Sequence, residues 1–428
     1  MSAAFPATAD PSPAEAALPA HPQRRLFLMI VVGLFVSTFA SDSRIAKLPL
    51  QFLLKNHLHV GPTAMAAFFG LIGLAWYFKP VAGLLSDVVP FRGTRRRHYL
   101  MLSGLGAGLL WAALGLVPHQ YKPLMWILIG ANAFAVLASS VSGGLLVEAG
   151  QQRGWTGRMG SLRETIIAGT ILLSQPVGGY LVGHAFGWTC GIAAALFFGL
   201  IPAALILLPE ARQPSPAGQF GRELKTRLGP IFQSRALWLA ALFIFLKELS
   251  PGFNTPLFYY QTNTLHFSAP FLGWLGALFN ATAIAGALLY AGACTRLPLA
   301  RLLVAGLVLS AASSLLFLGY RSHGTAVAIQ AFSGILGIFA SVALMDLAAR
   351  ATPRGGEAMA YSLLMSAFNL GATASDVLGS WMYGNLHVPL HTLIWISAGT
   401  TLLCLLAIPL IPQSVMARTD RLTSGRPR

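Results

Sequence analysis

Apolar runs of about twenty residues recur along this entire chain, and that repetition sets the class of fold before any single residue is weighed. Such a run crosses the ~30 Å hydrocarbon core of a bilayer as an α-helix, at ~1.5 Å per residue. In lipid, only helices and closed barrels satisfy their own backbone hydrogen bonds. Of the 428 residues, 55% are hydrophobic and 10% are charged, against about 25% charged in a soluble domain. We read an all-α polytopic membrane protein with twelve spans, at 26–54, 63–88, 99–118, 123–148, 160–184, 187–208, 236–260, 269–293, 301–319, 324–349, 357–384 and 389–412. The first run, behind Arg24 and Arg25, also has the outline of a secretory signal with cleavage near Ala40. Cleavage would remove a helix that the charge pattern requires.

Basic residues sort to one side. One set of connections, with both tails, holds 22 Lys/Arg; the opposite set holds Lys55, Lys122 and Arg321; Arg44, Lys47, Lys79 and Lys247 fall inside spans. The positive-inside rule then places both termini in the cytoplasm, with the protein in the cytoplasmic (inner) membrane. The net charge of +16 is accounted for as a topology signal, and no nucleic-acid partner is expected. Cys190, Cys294 and Cys404 form neither a disulfide framework nor a metal-ligand spacing. No metal or cofactor is expected.

A shift of 207 positions aligns PLQFLLKNHLHVGPT (49–63) with PLFYYQTNTLHFSAP (256–270), matching Pro49/Pro256, Leu50/Leu257, Asn56/Asn263, Leu58/Leu265 and His59/His266. The match falls at the end of the first span of each half. Parallel six-plus-six repeats are the architecture of the major facilitator fold, with the site between the halves. The organisation is thus a disordered cytoplasmic tail (1–25), a six-helix bundle (26–208), a cytoplasmic linker (209–235), a second six-helix bundle (236–412) and a C-terminal tail (413–428). A span ending at Ala40 would be only fifteen residues, ~22 Å at ~1.5 Å per residue. The first helix is therefore expected to continue through Asp42, Arg44 and Lys47, which then lie in its outer half, opposite Lys247 and Glu248.

After the second span, Gly83, Asp87, Arg95 and Arg96 have the spacing of the major facilitator cytoplasmic loop signature. Asp87 can pair there with Arg95 or Arg96, a latch for one transport state, or the arginines can serve only as topology anchors. The longer stretch WYFKPVAGLLSDVVPFRGTRRRHY (76–99) resembles the hallmark of the folate-biopterin transporter family, in the spacing of its Lys-Pro, Ser-Asp, Pro, Gly and Arg-Arg positions. SPGFNTPLFYYQTNTLHFS resembles the family's seventh span, and ATPRGGEAMAYSLLMSAFNLG its eleventh, with Glu357 as the motif acid. The resemblance covers about 25–390. It implies transport of folates or pterins, often proton-coupled, in a family that also has members for other solutes such as S-adenosylmethionine. Two features depart from it. SGGLLVE in the fourth span keeps only Glu148 of the expected acidic motif, and the first span is richer in charge than usual.

Ionisable residues inside a membrane cost about 2.5–3.5 kcal/mol each at a helix centre and usually face the bundle interior. Arg44, Lys47, Lys79 and Lys247 are the candidates for holding an anionic solute, since Arg can engage a carboxylate through two hydrogen bonds. Trp76, Tyr77, Tyr259 and Tyr260 could stack a flat ring or form an interfacial belt. Asp42, Glu248 and Asp376 are the proton-coupling candidates. Asp346 reads as an i,i+4 partner of Arg350. Glu148, Arg163 and Glu164 join the cytoplasmic gate candidates. GLGAG (104–108) reads as helix packing, and Asn280, in a glycosylation sequon, lies inside an apolar run.

No Walker loop, GxSxG motif or zinc spacing occurs. The expected function is a monomeric secondary transporter, in contact with lipid and a small solute, driven by an ion gradient (protons first) or by the solute's own gradient. The alternatives are a major facilitator transporter for an unrelated metabolite, a membrane-embedded enzyme, for which no nucleophile–base pair is evident, and a receptor, for which no long soluble domain is evident.

Overall fold

The computed structural model describes residues 20–88, 91, 93–94, 96–153, 156–208, 210, 232–352 and 357–416, apart from the side chains of 20–23, 84, 87–88, 147, 150–153, 156–161, 164, 357–359 and 414. Helix occupies each of the twelve expected segments, and the described residues contain no strand, only an isolated bridge between Phe91 and Thr94. Helix α1 (Ala20–Phe39) begins inside the stretch assigned to the tail. The first segment continues as α2 (Lys47–Phe52) and a π turn (Leu53–His57). The second comprises α3 (Pro62–Ile72), α4 (Leu74–Tyr77) and α5 (Lys79–Val88). Then follow α6 (Arg97–Leu116), α7 (Tyr121–Arg153), α8 (Thr156–Leu181) and α9 (Phe186–Leu207). The second half holds α10 (Arg235–Glu248), α11 (Asn254–Asn263), α12 (Ala269–Cys294), α13 (Leu299–Leu316), α14 (His323–Ala351), α15 (Glu357–Gly384) and α16 (Leu390–Leu403). The last segment tightens into 3₁₀ turns over Cys404–Leu410 before a final turn, α17 (Gln413–Met416).

One expectation is corrected here. The first helix does not continue through its charges: α1 ends at Phe39 and α2 starts at Lys47. The seventh segment breaks at the equivalent place, and its second piece starts at Asn254, 207 residues after Lys47. The cause is the proline pair in the repeat. Proline inside a helix removes one hydrogen bond and clashes with the carbonyl four residues back, but it is tolerated in the first turn. Pro49 and Pro256 each stand third in the new helix. Within the first break, Ser41 turns its hydroxyl onto the Thr38 carbonyl at 2.8 Å, a local bond that competes with helix. Pro80 interrupts the second segment in the same way, next to Phe78.

Non-helical backbone at membrane depth is tolerated where protein covers it. Accordingly, Ala40, Ser41, Asp42, Ile45 and Ala46 are all buried.

Among the described residues, seven helical stretches are long and apolar enough to cross a membrane unbroken. The remaining segments, the first, second, fifth, seventh and eleventh, are broken or more polar. Between the halves, α3 packs on α15 and α11, and α8 packs on the unbroken apolar α12; within the halves, α2 packs on α8 and α11 on α15. Away from the seam, α6 packs on α7 and α9, and α13 packs on α14 and α16. The six-helix pattern is thus repeated. GLGAG serves packing, as expected: a side chain on Gly104 would meet the Phe197 carbonyl, and one on Gly108 the Phe198 ring.

At the face carrying the odd-to-even connections, one apolar core runs across both halves, joining Leu50 and Phe68 to Phe258, Phe267 and Ile394. At the opposite end the second half has a separate core around Leu299, Leu347 and Leu364.

Candidate functional site

The first break gathers charge. Asp42 is 5% exposed, and its Oδ1 is buried without a hydrogen-bond partner. Arg44 is half-buried, while Ser43 and Lys47 are exposed. The charged neighbours of Lys47 are Arg44, Asp376 and Asp42, so it faces an acid of the other half. Asn132 of α7 stands beside the Asp42 carboxylate. Its amide donates to the Ile72 carbonyl (2.9 Å), at the end of α3, and its Oδ1 accepts from Trp76 Nε1 (3.3 Å). Lys79 lies 5.2 Å from the Trp76 ring centroid and donates to Ser139 Oγ at 3.0 Å. Its charged neighbour is Arg163. A connected polar surface therefore runs from the first break through α7 to the second segment, and the candidates Asp42, Trp76 and Lys79 lie on it.

The second break is bonded on several sides. Lys247 Nζ pairs with Glu248 at 2.6 Å, both mostly buried. Ser250 Oγ donates to the Ser397 carbonyl (2.9 Å) and lies 2.5 Å from Thr400 Oγ1. Gly252 N–H donates to the Ser375 carbonyl (3.0 Å), and the Ser375 hydroxyl donates to the Ser250 carbonyl. Asp376 accepts from Thr255 N–H (3.0 Å) and Thr255 Oγ1 (2.6 Å), which caps the start of α11. Each break rests on a glycine of the opposite partner helix. A Cβ on Gly178 would meet the Ile45 carbonyl, and one on Gly379 would overlap the Gly252 carbonyl. Ile45 and Gly252 are 207 residues apart, so the repeat reproduces this contact.

Tyr259 stands elsewhere. Its hydroxyl donates to the Val60 carbonyl, and the residue is buried. Together with Phe52 against Phe258, and Thr63 bonded to the Ser380 carbonyl (3.1 Å) and Asn385 (2.6 Å), it fastens the halves at the odd-to-even face. This is a helix-to-loop closure, with Lys55 Nζ 6.0 Å from the Tyr259 ring centroid. Nearer the middle, Tyr77 OH meets Thr373 Oγ1 at 2.5 Å, and Ser366 donates to the Tyr77 carbonyl at 3.0 Å.

At the loop signature, Arg96 is 6% exposed. Its guanidinium donates to Glu148 Oε1 (2.5 Å) and Ser86 Oγ (3.2 Å). Gly144 makes room for it: a Cβ there would strike the guanidinium. Glu148 thus pairs with Arg96, and Gly144, the second glycine of the departure, is what allows the approach. Gly83 accepts from Ser86 Oγ through its carbonyl (2.9 Å). Arg95 and the side chains of Asp87, Glu164 and Glu357 lie outside the described residues. As expected, Asp346 pairs with Arg350 at 2.6 Å, and it also accepts from Tyr290.

Two interrupted helices at a seam between six-helix halves are an architecture to compare with known proteins. Residues 41–422 match the BT1 family. The chain belongs to that family. Among curated relatives, a folate-biopterin transporter of Synechocystis sp. is 28% identical over 356 residues, 78% of this chain and 71% of that protein. Folate transporter 1 of Plasmodium falciparum is 22% identical over 362 residues, 80% and 70% of the two chains. The fold matches the crystal structures of the D-xylose-proton symporter (TM-score 0.67, 15% identity, 92% and 99% covered) and of the nucleoside transporter NupG (TM-score 0.65, 13% identity, 91% and 98% covered). This BT1-family chain is a multi-pass membrane transporter of the major facilitator fold, and not an enzyme.

Sequence reasoning passed over several residues that the BT1-family fold places in these networks. Asn132 and Ser139 are uncharged polar residues in the apolar run ILIGANAFAVLASS, and polarity inside a span was the available signal. Glu210 accepts from the backbone N–H groups of Arg96 and Arg97 (3.1 and 2.9 Å), and so neutralises the start of α6. No local pattern links it to a helix that begins 113 residues earlier.

Proposed function

We propose that this transporter moves a folate- or pterin-like anionic solute across the cytoplasmic membrane by alternating access, coupled to protons, with both termini in the cytoplasm. The observation that carries the reading is the matched pair of helix breaks, one in the first helix of each half, with Asp42, Arg44 and Lys47 at one and Lys247 and Glu248 at the other. Unwound segments present free backbone groups and helix ends at membrane depth, where transporters bind solutes and ions. The relatives named for folate and biopterin supply the substrate class. Arg44 and Lys47 hold a carboxylate, Lys79 with Trp76 forms a second contact, and Asp42, Glu248 and Asp376 are the proton acceptors. The odd-to-even face is the outer one, by the distribution of Lys and Arg. With the halves fastened there and their cores separate at the other end, the conformation is closed to the outside. Arg96, Glu148 and Gly83 with Asp87, Arg95, Arg163, Glu164 and Glu357 form the cytoplasmic gate, and the working unit is a monomer.

Flux into proteoliposomes tests this directly. Folic acid uptake should be stimulated by an inward proton gradient and abolished when the gradient is collapsed. Purified protein that moves no folate or pterin with or without a gradient would remove the substrate reading.

A further inference from the structure

The second segment is broken on both sides of α4, at Gly73 and at Phe78. None of the four residues of α4 is buried, so its own packing does not fix its place. Polar contacts hold it instead. Toward the second half, Tyr77 OH meets Thr373 Oγ1 and the Tyr77 carbonyl accepts from Ser366. Toward its own half, the hold is the side chain of Asn132 on α7.

In an unbroken helix the Trp76 backbone N–H would donate to the Ile72 carbonyl. Here it donates to the Gly73 carbonyl (3.0 Å), and the Asn132 amide donates to Ile72 in its place (2.9 Å). The same amide accepts the Trp76 indole N–H at 3.3 Å. An indole N–H can only donate and a carbonyl can only accept, so these two partners fix which way the amide points. Its second N–H is left for the Asp42 carboxylate beside it. Asn132 is 3% exposed, and away from water such hydrogen bonds hold more strongly.

The repeat supplies a comparison. Its 207-residue shift carries Asn132 to Phe339, Trp76 to Ala283 and Pro80 to Ala287. There α12 runs unbroken from Ala269 to Cys294, and Phe339 packs on Tyr290 with ring centroids 5.0 Å apart. Proline explains why the second segment breaks. The amide explains where the piece after the break sits. In the half where no break needs holding, an apolar side chain stands at that position.

We propose that Asn132 is a positioning residue for solute binding. It holds the Trp76 ring beside Asp42, and with it Lys79, whose ammonium lies 5.2 Å from the ring centroid. Lys79 also donates to Ser139 at 3.0 Å. Ser139 stands seven residues after Asn132 on α7, so one helix face steadies both solute contacts. Asn132 acts through Trp76 and does not itself touch the solute. The inference rests on the solute contacts proposed above.

The first test uses the full chain with its tryptophans labelled with ¹⁵N at the indole nitrogen, the Trp76 resonance being the one lost in Trp76→Phe. In the parent, the Trp76 indole N–H should exchange with solvent about tenfold or more slowly than that of a free tryptophan amide. Exchange at the free rate overturns the proposal even if every Asn132 variant fails to fold. Asn132→Leu, close in size and without hydrogen-bonding groups, should shift the resonance and speed its exchange. The second test measures folic acid uptake into proteoliposomes. Asn132→Leu should raise KM about twofold to tenfold, the range of one neutral hydrogen bond, and leave kcat within about twofold of the parent. Trp76→Phe should raise KM at least as much. The double variant should do no more than Trp76→Phe alone, because both substitutions remove one interaction. A parental KM with lowered yield and melting temperature would mark a structural role and overturn the proposal, as would KM effects that multiply in the double variant. A protected Trp76 that responds to Asn132→Leu, in a protein that takes up no folic acid, would support the positioning role and remove the folate reading. Folic acid uptake with a Trp76 that ignores Asn132→Leu would do the reverse.

Discussion

The two helix breaks are alike in origin and differ in what surrounds them. Both begin again with proline in the third position, and both press a backbone carbonyl onto a glycine of a neighbouring helix, Ile45 on Gly178 and Gly252 on Gly379. In the second half the break is held by Ser250, Ser375, Thr400 and the Asp376 cap on Thr255. In the first half, Ser43 and Lys47 are exposed, and Asp42 Oδ1 accepts no hydrogen bond. A repeat can therefore reproduce a backbone defect while leaving one copy anchored and the other with unmet hydrogen-bonding capacity. The unmet one is where a ligand gains most, because buried polar groups without partners cost about 1–3 kcal/mol until something satisfies them.

Substitutions can break or sharpen that comparison. The largest effect is expected at the anchored break. Gly379→Val places side-chain atoms in the space of the Gly252 carbonyl, and overpacking of that kind costs about 1–3 kcal/mol or more. Fluorescence-detected size exclusion should show loss of monodisperse protein, and Gly178→Val should be less severe. A Gly379→Val protein as stable as the parent would mean that the contact is not required.

Next is the open break. Arg44→Ala should leave membrane insertion and thermal stability near the parent and lower kcat/KM about tenfold to a hundredfold. That range corresponds to the about 1.5–3 kcal/mol of a hydrogen bond to a charged group. Unchanged uptake by Arg44→Ala would remove the first break from the transport site.

Asp376→Ala should act mainly through stability. Loss of a helix cap costs about 1 kcal/mol, and Asp376→Asn, which keeps one acceptor, should recover part of it in a thermal melt. If the two variants melt together well below the parent, charge rather than capping is the contribution of Asp376, and its facing Lys47 becomes the partner to examine. The smallest effect belongs to the fastening at the odd-to-even face. Tyr259→Phe removes one hydrogen bond to the Val60 carbonyl, worth about 0.5–1.5 kcal/mol. It should raise labelling of a Ser43→Cys variant by an impermeant thiol reagent added on the odd-to-even side severalfold and leave the melting temperature nearly unchanged.

Much of the architecture was legible in the chain. The apolar runs, the asymmetry of Lys and Arg, and the 207-residue repeat led to two six-helix halves. The Lys79-Pro80 to Tyr99 stretch led to the family. The breaks were legible in part, since Pro49, Pro80 and Pro256 each suit the first turn of a new helix, although α8 and α9 run on through Pro176 and Pro202. Length arithmetic outweighed them in the first span: fifteen apolar residues seemed too few to cross, so a continuous helix was expected through Asp42. A pair of shorter helices joined by buried turns crosses the same thickness, provided neighbouring helices cover the exposed backbone.

By itself the sequence determined that this chain lies in a membrane, that its halves repeat, and that its first and seventh helices carry charge at neighbouring positions of the repeat. These properties follow from composition and from spacing along a single segment. Only the tertiary structure decided the partners. Arg96 meets Glu148 across Gly144, Lys47 faces Asp376 from 329 positions away, and Tyr259 closes on Val60. Those pairings depend on how each helix is rotated and tilted against its neighbours. That is set by packing across the whole bundle and leaves no periodic trace in the segments that meet.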